Sequence, residues 1–308
     1  MDPLIQRGVA LITGAGSGMG QAMAIKFASR GCGKLFLVDL LESRLEETRA
    51  FVEETNKACE VVLHVANIAD PSAVRNMVST CVKNFGRLDF CMNNAGIARG
   101  GVKTGDISVE MFDANCLVKE KGAFLCQKYE IGQMLKQEPI STFHEAQYQD
   151  RDIRGAIVNT ASLSGLITLS DFSGYASSKH GVTMMTKQLA REYAPHKIRV
   201  NSIYPGIVHT NIVAETGLTQ EFLNGLSRQA PMNRWIHADE VAEATFFLCS
   251  SRASAITDGI DALRRRGTYI NLAAWDEPVV VPFDAIDVER DHHSRVIESH
   301  RTRLQRYC

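Results

Sequence analysis

Residues Gly8 to Arg30 constrain the fold more than any other stretch of this chain. Gly8-Val-Ala-Leu-Ile-Thr13 is a short continuous apolar run, the pattern of a parallel strand buried on both faces. It runs straight into Gly14-Ala-Gly-Ser17-Gly18-Met19-Gly20, and Gln21 to Arg30 then carries helical periodicity. Strand, glycine-rich turn and helix start make an anion site, because glycines admit close backbone approach and a helix N-terminus favours phosphate. Many turns hold three glycines; the flanking strand and helix make this one read as a dinucleotide-binding loop.

The same alternation continues. Lys34 to Val38 is a second strand closed by Asp39, which lies 19 residues after Gly20. A carboxylate at that distance takes the ribose hydroxyls of NAD and repels a 2′-phosphate. Neither Ser17 nor the residue after Asp39 is basic, so NAD is expected over NADP. The structural alternative for Asp39 is a cap on the helix of residues 42–56. Glu60 to Val65 forms a third strand with Asn67 to Asp70 at its end, and Pro71 to Phe85 an amphipathic helix. Leu88 to Met92 is the fourth strand, running into Asn93-Asn94-Ala95-Gly96; strands at 155–162 and 197–203 come after it. Six βα units in series predict an α/β fold, a parallel sheet covered on both faces.

Composition excludes several other classes. With 34 Lys and Arg against 35 Asp and Glu, the net charge is −1, so no general affinity for nucleic acid or anionic membrane is expected. No apolar run approaches the ~18 residues of a membrane span. The first residues carry no apolar signal core, and a cytoplasmic location is expected. The eight cysteines form no C-x-x-C pair and no cluster with His at zinc spacing; they read as free thiols, and no metal site is expected.

The chemistry centres on Ser173 to Lys187. Tyr175 and Lys179 stand at i and i+4, on one helical face a turn apart. A phenol titrates near ~10, and a nearby ammonium favours the phenolate and lowers that value. Thirteen residues before Tyr175, the apolar run from Gly155 ends at Ser162. Hydroxyl, phenol and ammonium together can polarise a carbonyl and exchange a proton with it. The plain alternative is an amphipathic helix on which Val182, Met185, Leu189 and Tyr193 pack and Lys179 is solvated.

Thr13-Gly14-x-x-x-Gly18-x-Gly20, Asp39, Asn93-Asn-Ala-Gly96, Ser162, Tyr175-x-x-x-Lys179, Asn201 and Pro205-Gly206-x-x-x-Thr210 occur in order. Together they resemble the short-chain dehydrogenase/reductase family over residues 5 to 257, and are similar to members found in fungal secondary metabolism. The resemblance implies a Rossmann-type doubly wound sheet of strand order 3-2-1-4-5-6. It gives Gly14, Gly18 and Gly20 the pyrophosphate, Asp39 the adenosine ribose and Asn67 the adenine. Asn94, Ala95 and Gly96 line the adenosine ribose, and Pro205 to Thr210, Val208 included, approach the nicotinamide. Ser162 holds the substrate oxygen, with Ser164 as its possible substitute; Tyr175 exchanges the proton; and Lys179 holds the nicotinamide ribose.

The chain departs from that pattern in three places. The family usually has an Asn three residues before Gly-x-Phe, and counting back from Gly122-Ala-Phe124 puts Lys119 there, with Asn115 a turn earlier. Lys119 reads either as a member of a slower or repurposed proton relay or as a solvated helix charge beside Glu120 and Lys121. Its charge is expected to depress the pKa of Lys179. Gln137 to Arg154 is an insertion carrying His144, Glu145, Asp150 and Asp152, read as a surface loop. After Ile256-Thr-Asp-Gly the expected last strand gives way to Arg264-Arg-Arg266 and a polar tail. A seventh strand would have to come from Thr268 to Ala273 or Val279 to Phe283.

The expectation is therefore an NAD-dependent ketoreductase or alcohol dehydrogenase, with residues 1–257 as catalytic domain and 258–308 as an atypical polar extension. Ile212, Val213, Leu218, Phe222 and Leu226 suggest a mid-sized apolar substrate. The helices of residues 108–136 and 175–194 resemble those that pair subunits, so a homodimer or homotetramer is expected. Two rivals are a non-redox isomerase or cyclase using Lys119 and a nucleotide-sensing protein that is not an enzyme.

Overall fold

The computed structural model describes residues 2–141, 151–210, 218–228, 230 and 232–257. A short helix α1 (Pro3–Arg7) leads into β1 (Ala10–Thr13) and α2 (Gly18–Ser29). Next come β2 (Lys34–Asp39), α3 (Glu42–Thr55), β3 (Glu60–Val65), α4 (Pro71–Phe85) and β4 (Phe90–Asn93). The second half runs α5 (Val109–Asn115), α6 (Gly122–Met134), β5 (Gly155–Thr160), α7 (Ser173–Tyr193), β6 (Ile198–Ile203), α8 (Gln220–Arg228) and α9 (Ala238–Cys249).

The six strands form one parallel sheet in the order β3-β2-β1-β4-β5-β6, as expected for a Rossmann-type fold. Their period of two splits β1 between two cores. Ala10 and Ile12 join Met23, Phe27, Phe90 and Phe246 on one face, while Leu11 joins Phe36, Met77, Cys91 and Ile157 on the other. Each large side chain buried this way contributes about 1.5–3 kcal/mol, so residues nearly apolar throughout hold the sheet centre.

Register places the site. Thr13 pairs with Val38 and Asn93, Asn93 with Asn159, and Thr160 with Ile203. The strands thus end at one edge, and the chain beyond each of them gathers there. The order reverses between β1 and β4, where open α/β sheets hold ligands.

Three boundaries differ from the pattern reading. β4 starts at Phe90, two residues later than expected, and β5 stops at Thr160, so Ser162 lies in extended chain beyond it. The helix expected over 108–136 is divided by a π-helical turn at Cys116–Lys121, where the Gly122 amide bonds the Leu117 carbonyl. The wider turn gives Lys119 a buried place.

The stem of the insertion is tied down. Ile140 and Ile153 form an antiparallel bridge, and the Gln137 side-chain amide donates to the carbonyls of Leu88 and Arg154. Residues 142–150, with His144, Glu145 and Asp150, lie outside the described residues. So does the expected extension 258–308, with its Arg cluster and both candidates for a seventh strand. Up to its described end the chain lies beside β6, where the Val200 amide donates to Thr257 Oγ1 at 3.1 Å. Among the described residues the seven cysteines are free, and no helix is long and apolar enough to cross a membrane.

Candidate active site

The glycine loop leaves β1 in conformations that side chains resist. Gly14 and Gly18 have φ of +66° and +55°. A Cβ on Gly20 would meet the Gly14 carbonyl oxygen at 2.0 Å, so a glycine there lets α2 start tight against the strand end. Ser17 is the N-cap of α2 but makes no side-chain cap bond, and Met19 packs against the core. The first amides of α2 thus have no partner within the helix.

Asp39 closes the loop from β2. Its Oδ2 accepts from the Gly16 amide at 2.9 Å, and Oδ1 from the Leu40 amide at 2.7 Å. The N-cap of α3 is Leu41, so the capping alternative for Asp39 does not hold. Oδ1 also accepts from the Leu41 amide at 3.3 Å, so a carboxylate that accepts about four hydrogen bonds keeps room for one hydroxyl. Asn67 accepts from the Ala69 amide, an Asx turn that sets its amide at the end of β3. Asn94 links the Gly14 carbonyl to Thr160 Oγ1. Sequence reading overlooked Thr13 as a brace: its hydroxyl accepts from the amides of Asn94 and Ala95.

The far wall is the segment after β6. The Pro205 carbonyl accepts from the Leu163 amide at 3.0 Å, and Val208 is bridged to Ile236, so this loop is fastened beside Ser162. Thr210 comes back to the glycine loop, its Cγ2 at 3.0 Å from where a Cβ on Gly18 would be. Its Oγ1 is buried without a partner. A glycine cradle, free helix amides, an open carboxylate and this orphaned hydroxyl fit a nicotinamide dinucleotide.

The Ser162 hydroxyl lies close enough to the Tyr175 phenol to act on its pKa. Phe172 meets the Tyr175 ring edge-on at 6.2 Å between centroids. Burial pushes the Tyr175 phenol above its ordinary value, and Ser162 pulls it back in part. This corrects the expectation that Lys179 lowers it. Lys179 is itself buried, and its Nζ donates to the Thr160 carbonyl at 2.6 Å. Burial lowers that ammonium to about 8. The neighbour is Ser164, whose backbone amide donates to Ser162 Oγ and helps hold it.

The family model described as enoyl-(acyl carrier protein) reductase matches residues 14–260. The chain is 34% identical over 255 residues to the levodione reductase of Leifsonia aquatica, covering 80% of this chain and 89% of that protein. It is 34% identical over 258 residues to a short-chain dehydrogenase of Penicillium roqueforti, covering 81% and 92%. The chain is a short-chain dehydrogenase/reductase. The solved levodione reductase superposes with a TM-score of 0.75 at 32% identity, over 83% of this chain and 95% of that one. A 3-ketoacyl-(acyl-carrier-protein) reductase from Brucella melitensis, solved with NADH, gives 0.69 at 30% identity, over 82% and 94%.

Within this dehydrogenase the position of Lys119 needs correcting. It is no solvated helix charge but 3% exposed. Its Nζ donates to Asn115 Oδ1 at 2.7 Å and lies 3.9 Å from the Tyr175 ring centroid. Burial first, and then Lys179, lower its ammonium to about 6. The expected depression thus falls on Lys119; for Lys179 burial alone accounts for the shift. Asn115, set aside in the sequence as a turn too early, is brought into the site by this i, i+4 bond. Gly96 lies against the Lys119 stem. Of the residues expected over the substrate, Ile212 and Val213 lie outside the described residues. Leu218 reaches Gly101, whereas Phe222 is exposed.

Proposed function

We propose that this dehydrogenase transfers a hydride between NAD(H) and a secondary alcohol or ketone of a mid-sized apolar metabolite. The observation that carries the reading is the meeting of Ser162 with the Tyr175 phenol, with Lys179 buried at the end of β5 on the Thr160 carbonyl. When bound, the nicotinamide supplies or accepts the hydride. Ser162 holds the substrate oxygen, and Tyr175 gives a proton to that oxygen or takes one from it. Lys179, Thr210, Val208 and Pro205 would hold the nicotinamide half, and Asp39, Asn67 and Asn94 to Gly96 the adenosine half.

Asp39 supports NAD over NADP, because its carboxylate would face a 2′-phosphate at the point where the Gly16 amide already binds it. The names of two relatives, levodione reductase and a cyclohexanol dehydrogenase of Acinetobacter sp. (strain SE19), 34% identical over 250 residues, support a carbonyl or secondary alcohol substrate. The fungal resemblance of the motifs supports a role in secondary-metabolite biosynthesis, and the composition a cytoplasmic one. A homodimer or homotetramer paired through α5 to α7 completes the reading.

The test is oxidation of NADH and NADPH against a panel of apolar ketones. Turnover with NADH that Tyr175→Phe lowers by about 10²–10⁴-fold, with cofactor binding retained, is the expected result. No turnover on any ketone, or a Tyr175→Phe variant as fast as the parent, would overturn it.

A further inference from the structure

A second cavity lies apart from Ser162 and Tyr175, between α8, the loop after β6 and the segment leading into α9. Val208 and Ile236 are paired there in a short parallel bridge and pack into the core. Side chains alternate along paired extended chain, so the residues flanking this bridge turn outward. His209 and Trp235 stack at 4.5 Å between ring centroids, 19° from parallel, and His237 meets His209 at 5.3 Å.

Helix α8 closes the other side. Asn224, Ser227 and Arg228 stand at i, i+3 and i+4, on one face of it. Asn224 Oδ1 accepts from Trp235 Nε1 at 2.9 Å, which ties the helix to the rings. Together with Asn233 and Arg234 these residues line a cavity of about 450 Å³, within the size range of small-molecule sites.

The charge of this cavity has one sign. Arg228, Arg234 and two imidazoles line it, and no carboxylate does. Arg234 is already engaged: its two terminal nitrogens donate to Glu240 at 2.8 and 2.6 Å, and one of them to the Trp235 carbonyl. The Arg228 guanidinium has no ion pair or hydrogen bond to any described residue. One cation in the last turn of a helix suits the helix dipole. That does not account for a second guanidinium and two imidazoles on the same cavity, in a chain whose net charge is −1.

We propose that this cavity is a second binding site, for a small molecule that carries a carboxylate or a phosphate. Arg228 takes the anion, since a planar guanidinium matches either group through two parallel hydrogen bonds. Asn224 keeps its Nδ2 donor, because Trp235 occupies only Oδ1, and the exposed His209 and His237 add ring nitrogens at the edge. The site is separate from the place of hydride transfer: Thr210 turns to Gly18, while His209, its neighbour in the chain, turns to the cavity. No bond is made or broken here, and the proposal does not depend on the redox reading.

The experiment is calorimetry on the full chain in excess NADH, which fills the glycine loop, with inorganic phosphate in one arm and benzoate in the other. The chain has two tryptophans, so Trp275→Phe leaves Trp235 as the reporter, and its fluorescence is followed in the same titrations. The expected result is that one or both anions bind at one site per chain and change the Trp235 emission. Arg228→Gln then weakens that binding about tenfold, and Arg228→Lys, which keeps the charge without the fork, recovers part of it. The arm that binds tells a phosphate ligand from a carboxylate. Binding of neither anion, or equal binding by the parent and Arg228→Gln, overturns the site; phosphate held at the glycine loop alone would give the second outcome. An equal loss in Lys57→Gln, an exposed charge outside the cavity, overturns it as well, since net charge would then explain the binding. Should NADH itself not bind, the redox reading falls, and the Arg228 dependence of anion binding still decides the site.

Discussion

Glu130 lies in the interior of α6, fully buried, with Oε2 accepting from Asn93 Nδ2 at 3.0 Å. Asn93 also donates to Asn159, and Asn159 to Gln127 and Thr186, so the carboxyl ends a polar chain through β4 and β5. Burial pushes Glu130 up from 4.5 to about 7, against the pull of its Asn93 and Cys91 hydrogen bonds. Between those values the folded protein keeps a proton that the unfolded chain has lost, so this group makes stability fall as pH rises through them. Glu130→Gln keeps an acceptor for Asn93 and carries no charge. The variant is expected to gain on the parent between pH 5 and pH 8, by on the order of 3 kcal/mol. Urea unfolding at the two pH values checks this; an equal difference at both would mean that the folded carboxyl is ionised throughout.

At the scale of elements, Arg199 shows how the outer strand is joined to α9 and the chain beyond it. From β6 its guanidinium donates to the carbonyls of Leu248 at 2.6 Å, Cys249 at 3.2 Å and Ile256 at 3.2 Å. A cation at the end of α9 satisfies carbonyls that the helix leaves open and suits its dipole. Asn201 Nδ2 adds a bond to the same Ile256 carbonyl. Arg199→Met would strand several buried acceptors and is expected to cost about 1–3 kcal/mol, read as a lower urea midpoint at unchanged slope. The π-helical turn between α5 and α6 is the other element-scale feature. The Lys119-Glu120-Lys121 run reads as a solvated surface because a regular helix was assumed; the wider turn buries the first of the three.

At the scale of the whole molecule, apolar side chains stay uncovered on neighbouring helices. Phe112 on α5, Leu117 on the π-helical turn, Phe124 on α6 and Met184 on α7 are all exposed, Met184 by 62%. Clustered exposed apolar groups of this kind mark association surfaces. Light scattering is expected to give a multiple of the 34.0 kDa chain mass, and a Phe124→Glu, Met184→Glu double variant to reduce it. A parent that runs as a monomer would contradict the pairing proposed for α5 to α7. Much of this architecture was legible in the chain itself: the six strands and the glycine loop follow from runs such as Gly8–Thr13 and Lys34–Val38, and the order of the sheet from the family resemblance of the motifs. The site was legible in part. Tyr175, Lys179 and Ser162 were located by spacing, while the state of each was not.

That division has a physical cause. Periods of two and of 3.6, glycines at positive φ and polar breaks are local properties, so sequence by itself determined the α/β alternation, the loop at Gly14 to Gly20 and the Tyr175–Lys179 helix face. Burial and charge are set by residues far away in the chain. That Lys119 is an interior amine on the Tyr175 ring depends on α7 packing over the π-helical turn. That Glu130 holds a proton depends on β4 and β5, and that Thr210 offers an unpaired hydroxyl depends on the loop after β6 returning to Gly18. Only the tertiary structure decided these, because a pKa and an unmet hydrogen bond depend on an environment that spacing along the chain does not contain.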